Sequence, residues 1–131
     1  MSRIRVRPTD AELAILQVLW EQGPTTVRLV HEALEARETG YTTTLKLMQI
    51  MAEKGLVTRD ESARTHVYTA VANQAETQQR LIADLMDRAF GGSAAALVMQ
   101  ALSSQPASAE ELAEIEQLIA DFQVGTGERH D

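Results

Sequence analysis

The 131-residue sequence contains no cysteine, three prolines and only five aromatic residues. The absence of cysteine excludes disulfide bonds and every thiolate site for zinc, copper or an iron–sulfur cluster. With so few aromatic rings, a core must be built from Leu, Ile, Val, Met and Ala, a composition that favours helices over strands. The length predicts one compact domain or two small ones.

Long apolar runs are also absent. No window approaches the roughly 20 consecutive apolar residues that a transmembrane helix needs. The basic N-terminal segment MSRIRVRPTD is not followed by an apolar stretch and so lacks the form of a secretory signal. We therefore expect a soluble, cytoplasmic protein with no membrane insertion.

The formal net charge is −7, the wrong sign for a protein that binds DNA. The charge is unevenly distributed, however. Residues 1–72 contain nine Lys/Arg and nine Asp/Glu, whereas residues 73–131 contain three Lys/Arg and ten Asp/Glu. The acidity belongs to the C-terminal half, and a neutral N-terminal half can present a basic face if its acids lie on the opposite side.

The order of elements in residues 1–72 predicts a winged helix-turn-helix. A capping box at Thr9 and Glu12 opens a first helix that Gly23 ends, and a second helix is expected to run from Thr25 or Thr26 through VRLVHEALEAR. A third helix is expected from residue 41 or 42 to residue 54, followed by a hairpin of two β-rich runs, 56–59 and 65–69. Three helices and a small hairpin wing are the elements of this DNA-binding fold.

Residues 73–123 predict three more helices, the first of them capped by Asn73 and Glu76, and residues 124–131 predict a frayed tail. The three helices carry narrow apolar stripes that bury too little surface to form a stable domain alone, so we expect a homodimer. The alternative is that they fold back on the winged helix in a monomer. The predicted dimer interface consists of Leu81, Leu85, Leu97, Val98, Leu102, Leu112, Ile115, Leu118, Ile119 and Phe122.

Helical periodicity in the third helix, which Gly55 would end, places Thr44, Leu47, Met48 and Met51 toward the core and Thr42, Thr43, Lys46 and Gln49 on the other face. This helix would be the recognition helix in the major groove, with its first turns against the base edges. Threonine hydroxyls there can bind phosphates or bases, their methyl groups can pack on thymine, and a lysine one turn later can reach a phosphate or guanine. The predicted DNA-binding residues are Arg7, Thr26, Arg28, Tyr41, Thr42, Thr43, Lys46, Arg64 and His66. Further candidates for contacts to the DNA backbone are His31, Arg59 and an arm containing Arg3 and Arg5.

The sequence offers little for catalysis. Its three histidines fall in different elements, and no H-x-x-x-H or H-E-x-x-H motif occurs. We therefore predict no enzyme activity, no metal site and no cofactor. An enzyme is the least favoured of three interpretations, after a DNA-binding protein and a winged helix that binds other proteins.

The segments PTDAELAILQVLW, TVRLVHEAL, YTTTLKLMQIMAEKGLV and HVYTAV resemble those of the penicillinase-repressor family, which includes the BlaI, MecI and CopY types. The resemblance covers roughly residues 8–123. It implies a homodimeric transcriptional repressor whose winged helix binds a palindromic operator in double-stranded DNA and whose C-terminal helices dimerise. In the β-lactam-responsive members, a membrane sensor metalloprotease triggers cleavage in the second C-terminal helix.

Two departures from the family pattern bear on control. The bond cleaved in the family is typically Asn–Phe, and the matching positions here are Gln100 and Ala101. The C-terminal cysteine motif of the copper-responsive members is missing altogether. The main rival interpretation is a winged-helix module that binds proteins and not a specific DNA, because the recognition helix offers little basic charge beyond Lys46.

Overall fold

A computed structural model of the protein describes residues 7–34 and 40–129, with side chains described as far as Val124. The elements in these residues are α1 (Asp10–Gln22), α2 (Val27–Ala33), α3 (Tyr41–Lys54), β1 (Val57–Asp60), β2 (Val67–Ala70), α4 (Gln74–Ala89), α5 (Ala94–Ser104) and α6 (Ala109–Arg129). The fold is mainly helical with an N-terminal winged helix-turn-helix, as the order of elements predicted.

The chain divides into two compact units, Met1–Ala83 and Asp84–Asp131. The division lies within α4 and so comes later than the boundary expected at residue 72. The indole N–H of Trp20 in α1 donates a hydrogen bond of 3.0 Å to the carbonyl of Ala72, and Thr77 in the first turns of α4 is buried. The start of α4 therefore belongs with the N-terminal unit.

The N-terminal unit has a single core made by α1, α2, α3 and the hairpin. Helix α1 begins at the predicted capping box, in which Glu12 N–H donates to Thr9 Oγ1 and Thr9 N–H donates to Glu12 Oε1. It ends at Gly23, whose φ of 82° suits glycine. The buried apolar residues of the core are Ile15, Leu16, Val18, Leu19, Val27, Val30, Met48, Met51, Val57 and Tyr68.

The wing is an antiparallel pair in which β1 and β2 are joined by a polar loop. The register pairs Val57 with Ala70 and Arg59 with Tyr68. A third segment adds to the sheet, because Thr25 exchanges two backbone hydrogen bonds with Tyr68, at 3.1 and 2.8 Å. This bridge was not predicted from the sequence, and it places the start of α2 directly beside the wing.

Two helices differ in length from the prediction. Helix α2 stops at Ala33, because Leu34 adopts an extended conformation and packs its side chain against the core. The rest of the predicted helix, residues 35–37, lies outside the described residues. Helix α6 continues to Arg129, past the end expected at residue 123. No proline follows Pro106 that could break the helix. Because each added helical residue gains a backbone hydrogen bond, α6 continues through Gly125 and Gly127.

The C-terminal helices have well-formed ends but little buried surface. Asn73 and Glu76 form a reciprocal cap at the start of α4, and Ser93 caps α5. Among the described side chains of α5 and α6, none is buried. None of the helices in residues 7–34 and 40–129 is long and apolar enough to cross a bilayer.

Candidate nucleic-acid interface

Helix α3 has two faces of different chemistry. Thr44, Met48 and Met51 are buried against the core, and Thr42, Thr43, Lys46 and Gln49 are exposed on the other side. This is the division that helical periodicity predicted. The exposed face thus carries two hydroxyls, an amide and an ammonium group within three turns.

The start of α3 suits an anion. Gly40 is the N-cap and has no side chain that could bond to the first-turn amides, and the first turn contains no acidic residue. The free N–H groups and the positive end of the helix dipole both favour a phosphate. Glu53 in the last turn is the only acid of the helix.

Three side chains form a cluster at the junction of α2 and α3. The Arg28 guanidinium lies over the Tyr41 ring, with Cζ 5.2 Å from the ring centroid. The His31 ring meets the edge of Tyr41 with centroids 5.9 Å apart, and His31 Nδ1 is 2.9 Å from Thr44 Oγ1. The cation–π contact orients Arg28 while its N–H groups stay exposed at the surface.

Thr26, a predicted DNA contact, is the N-cap of α2. Its Oγ1 accepts a hydrogen bond of 3.3 Å from the Leu29 amide, and the residue is only half-buried. The hydroxyl hydrogen can still be donated to an external acceptor. Thr26 is therefore both a structural cap and an available donor at the surface of the helix-turn-helix.

The wing carries its basic residues in two different environments. The Arg59 guanidinium forms an ion pair with Glu61. The pKa of Arg59 is raised, chiefly by its hydrogen bond to Tyr68 and next by its hydrogen bond to Glu61. Arg64 lies exposed in the loop with no ion pair among the described residues, and His66 is half-buried at its end. Arg64 is thus the wing cation best placed to meet a phosphate.

Asp60 shapes the same loop. Its Oδ1 accepts a hydrogen bond of 2.9 Å from the Ser62 amide. Hydrogen bonds from the backbone and the side chain of Ser62, together with the nearby His66, lower the pKa of Asp60. The carboxylate therefore stays ionised and holds the turn that presents Arg64.

A partly buried ion pair lies behind α3 and was not predicted from the sequence. Glu12 is only 2% exposed, and its Oε2 accepts a bond of 2.7 Å from Lys54 Nζ at the end of α3. Burial raises the pKa of Glu12. The hydrogen bond from Lys54, the hydrogen bond from the Thr9 backbone and the positive charge of Lys54 have a larger, opposite effect, so the pKa of Glu12 is lowered below its ordinary value. Lys54 is consequently a structural cation and adds little to the DNA-facing charge.

The predicted arm is only partly described. Arg7 is exposed just before α1, and Arg3 and Arg5 lie outside the described residues. Among residues 7–34 and 40–129, no group of three or more His, Asp or Glu could hold a metal ion.

The dimer-interface candidates lie at the surface of the C-terminal helices. Every one of them is exposed or half-buried, and Phe122 is 70% exposed. Other large apolar side chains share this exposure, including Met99 at 66%. The two residues at the expected cleavage position, Gln100 and Ala101, are exposed within α5.

The family model of the penicillinase repressor matches residues 8–121. The chain belongs to the penicillinase repressor family. Penicillinase repressors regulate transcription and are not enzymes, so this protein is a DNA-binding transcription regulator.

Two curated relatives illustrate the range of similarity. A transcriptional regulator BlaI from Mycobacterium tuberculosis is 35% identical over 124 residues, which cover 92% of this chain and 88% of the relative. A penicillinase repressor from Bacillus licheniformis is 23% identical over 114 residues, covering 86% of this chain and 89% of the relative. A solved complex of hsRosR-S4 has a TM-score of 0.52 with 21% identity, covers 95% of this chain and 96% of that chain, and supports the fold.

Proposed function

We propose that this member of the penicillinase repressor family binds a palindromic operator as a homodimer and blocks transcription by occupying the site. The observation that carries the proposal is the exposed face of α3, where Thr42, Thr43 and Lys46 lie in the first turns of the recognition helix, and the first turn contains no acidic residue. In a helix-turn-helix this position lies against the base edges of the major groove. Arg28, held on Tyr41, and Arg64 on the wing would bind the flanking phosphates.

The second part of the proposal is that the C-terminal helices form the dimer. A monomer of this size seldom exposes so many large apolar side chains in adjacent helices. In α4, α5 and α6, the large apolar residues at least 39% exposed are Ile82, Leu85, Val98, Met99, Leu102, Leu112, Leu118, Ile119, Phe122 and Val124. A second copy of the chain would cover these stripes and create the two-fold symmetry that matches a palindrome.

Dimerisation also helps an acidic protein to bind DNA. Residues 73–131 hold the entire net charge of −7, and the winged helix is neutral. A dimer doubles the number of phosphate contacts and brings two half-sites into one binding event. We expect the affinity for DNA to fall as the salt concentration rises. The slope of log K against log salt should be about −0.9 for each phosphate neutralised.

Control by proteolysis is part of the same proposal. The bond between Gln100 and Ala101 is exposed but helical, so a protease would need α5 to open locally. A cut there would detach α6 with its apolar stripe and weaken the dimer. Mass spectrometry of the protein from β-lactam-treated cells should find a fragment that ends at Gln100; an intact chain in induced cells would contradict this step.

The experiment that tests the function compares two variants on DNA. The variant T42A/T43A/K46A removes the polar groups of the recognition face, and Glu21→Ala changes an exposed side chain on α1 as the control. We expect the first to lose binding to a duplex enriched by the wild-type protein from a random pool, and the second to keep it. Equal binding by all three proteins would favour the rival interpretation, a winged helix that binds another protein.

A further inference from the structure

The recognition helix α3 is held by polar contacts at both of its ends. At its start, Thr44 Oγ1 lies 2.9 Å from His31 Nδ1 of α2. At its end, Lys54 Nζ lies 2.7 Å from Glu12 Oε2 of α1. Both contacts join α3 to the helices that form its support, and neither lies on the exposed face that would meet DNA.

The contact at the end of α3 is built into the first turn of α1. The carboxylate of Glu12 is buried, and its second oxygen accepts the Thr9 amide at 2.9 Å. One side chain therefore caps α1 and binds α3 with its two oxygens. Because α1 is anchored in the core by Ile15 and Leu16, this contact fixes the end of α3 relative to a rigid element.

The apolar contacts of α3 specify its orientation less well. The fully buried apolar side chains of the helix are Met48 and Met51, and Leu45, Leu47 and Ala52 pack half-buried against the same core. Methionine is flexible enough to fit several arrangements. A hydrophobic contact is also non-directional. A rotation of α3 by about 20° would move side-chain tips at a radius of about 5 Å by about 2 Å, which is enough to break a hydrogen bond to a base.

We infer that Glu12 and His31 are positioning residues for sequence recognition, which set the rotation of α3 through Lys54 and Thr44 without touching DNA. The inference rests on the proposed operator binding and deepens it. It predicts that loss of these contacts lowers the discrimination between operator and other DNA. Binding to phosphates, which does not depend on base alignment, should remain.

The test uses two variants that keep the net charge. E12Q/K54M removes the pair without leaving a buried unpaired charge. Thr44→Val replaces a hydroxyl with a methyl group of the same shape and removes the bond to His31. Val18→Ala, a core truncation in α1 that breaks no polar contact, is the control for loss of stability.

Each protein is titrated with the duplex enriched from a random pool by the wild type and with a scrambled duplex, at several salt concentrations. Circular dichroism first establishes a temperature at which all proteins are folded. We expect both test variants to lose about tenfold in the ratio of the two affinities, roughly one well-aligned base contact. Their salt dependence and affinity for scrambled DNA should stay unchanged, and Val18→Ala should keep the wild-type ratio.

Three results would overturn the inference. An unchanged ratio in E12Q/K54M and Thr44→Val would show that the core alone orients α3. An equal fall in Val18→Ala would show that the loss follows stability and not position. Failure of the wild type to enrich any sequence would remove the proposed function, and the inference with it.

Discussion

Replacing Lys54 with methionine should destabilise the protein through Glu12, and the effect should depend on pH. The substitution leaves the carboxylate of Glu12 2% exposed and without the cation that lies 2.7 Å away. Removing one partner of a fully buried pair costs about 3–5 kcal/mol. Lys54 is 34% exposed, so water can approach from that side, and we expect about 2 kcal/mol at pH 7.

The pH dependence follows from the pKa of Glu12. In the wild type the pKa is lowered below its ordinary value of 4.5, so the stability that Glu12 contributes is present above that value and lost as the pH falls through the folded-state pKa. In Lys54→Met, burial is no longer opposed by the lysine, and the pKa of Glu12 rises relative to the wild type. The difference in free energy of unfolding between the two proteins should therefore shrink as the pH falls from 7 toward 4.

The assay is urea unfolding followed by circular dichroism at equal protein concentrations, since dimerisation makes stability depend on concentration. Arg80→Met removes a cation from an exposed position on α4 and serves as the control, with a change expected within about 0.5 kcal/mol. E12Q/K54M should recover part of the lost stability, because no charge is left buried and unpaired. A Lys54→Met deficit that is the same at pH 7 and pH 4 would refute this account of the pair.

Three further predictions concern the surfaces. Lys46→Ala should reduce the slope of log K against log salt by about 1.8 per dimer, one phosphate from each protomer; an unchanged slope in anisotropy titrations would mean that Lys46 meets no phosphate. Arg64→Ala should weaken DNA binding more than Arg59→Ala, because Arg59 is already paired with Glu61; the reverse order would show that the wing rearranges on DNA. Leu118→Asp should dissociate the dimer in sedimentation equilibrium, whereas Gln117→Glu, which adds the same charge on the opposite face of α6, should leave it intact; dimers in both would contradict the proposed interface.

The parts of the fold that depend on neighbouring residues could be predicted from the sequence. Thr9 and Glu12 marked the start of α1, Asn73 and Glu76 that of α4, and Gly55 the end of α3, because caps act within a few residues. The two faces of α3 followed from helical periodicity alone.

Features that depend on distant residues could not be predicted in the same way. Glu12 was recognised as a cap, but its pairing with Lys54 spans 42 residues and leaves no local signal. The early end of α2 also depends on tertiary packing, since helix propensity alone would carry it past Leu34. His31 was predicted to contact DNA because of its position in the helix-turn-helix. Its hydrogen bond with Thr44 joins residues 13 positions apart, and no local pattern in the sequence indicates it.

The most direct test of the central claim is an anisotropy titration of the purified protein with DNA from the region upstream of its own coding sequence. It should be run at two salt concentrations, with a scrambled duplex for comparison. We expect preferential, salt-dependent binding with one dimer at each site. Equal and weak binding to both duplexes would contradict it and would identify the winged helix as a surface for a protein partner.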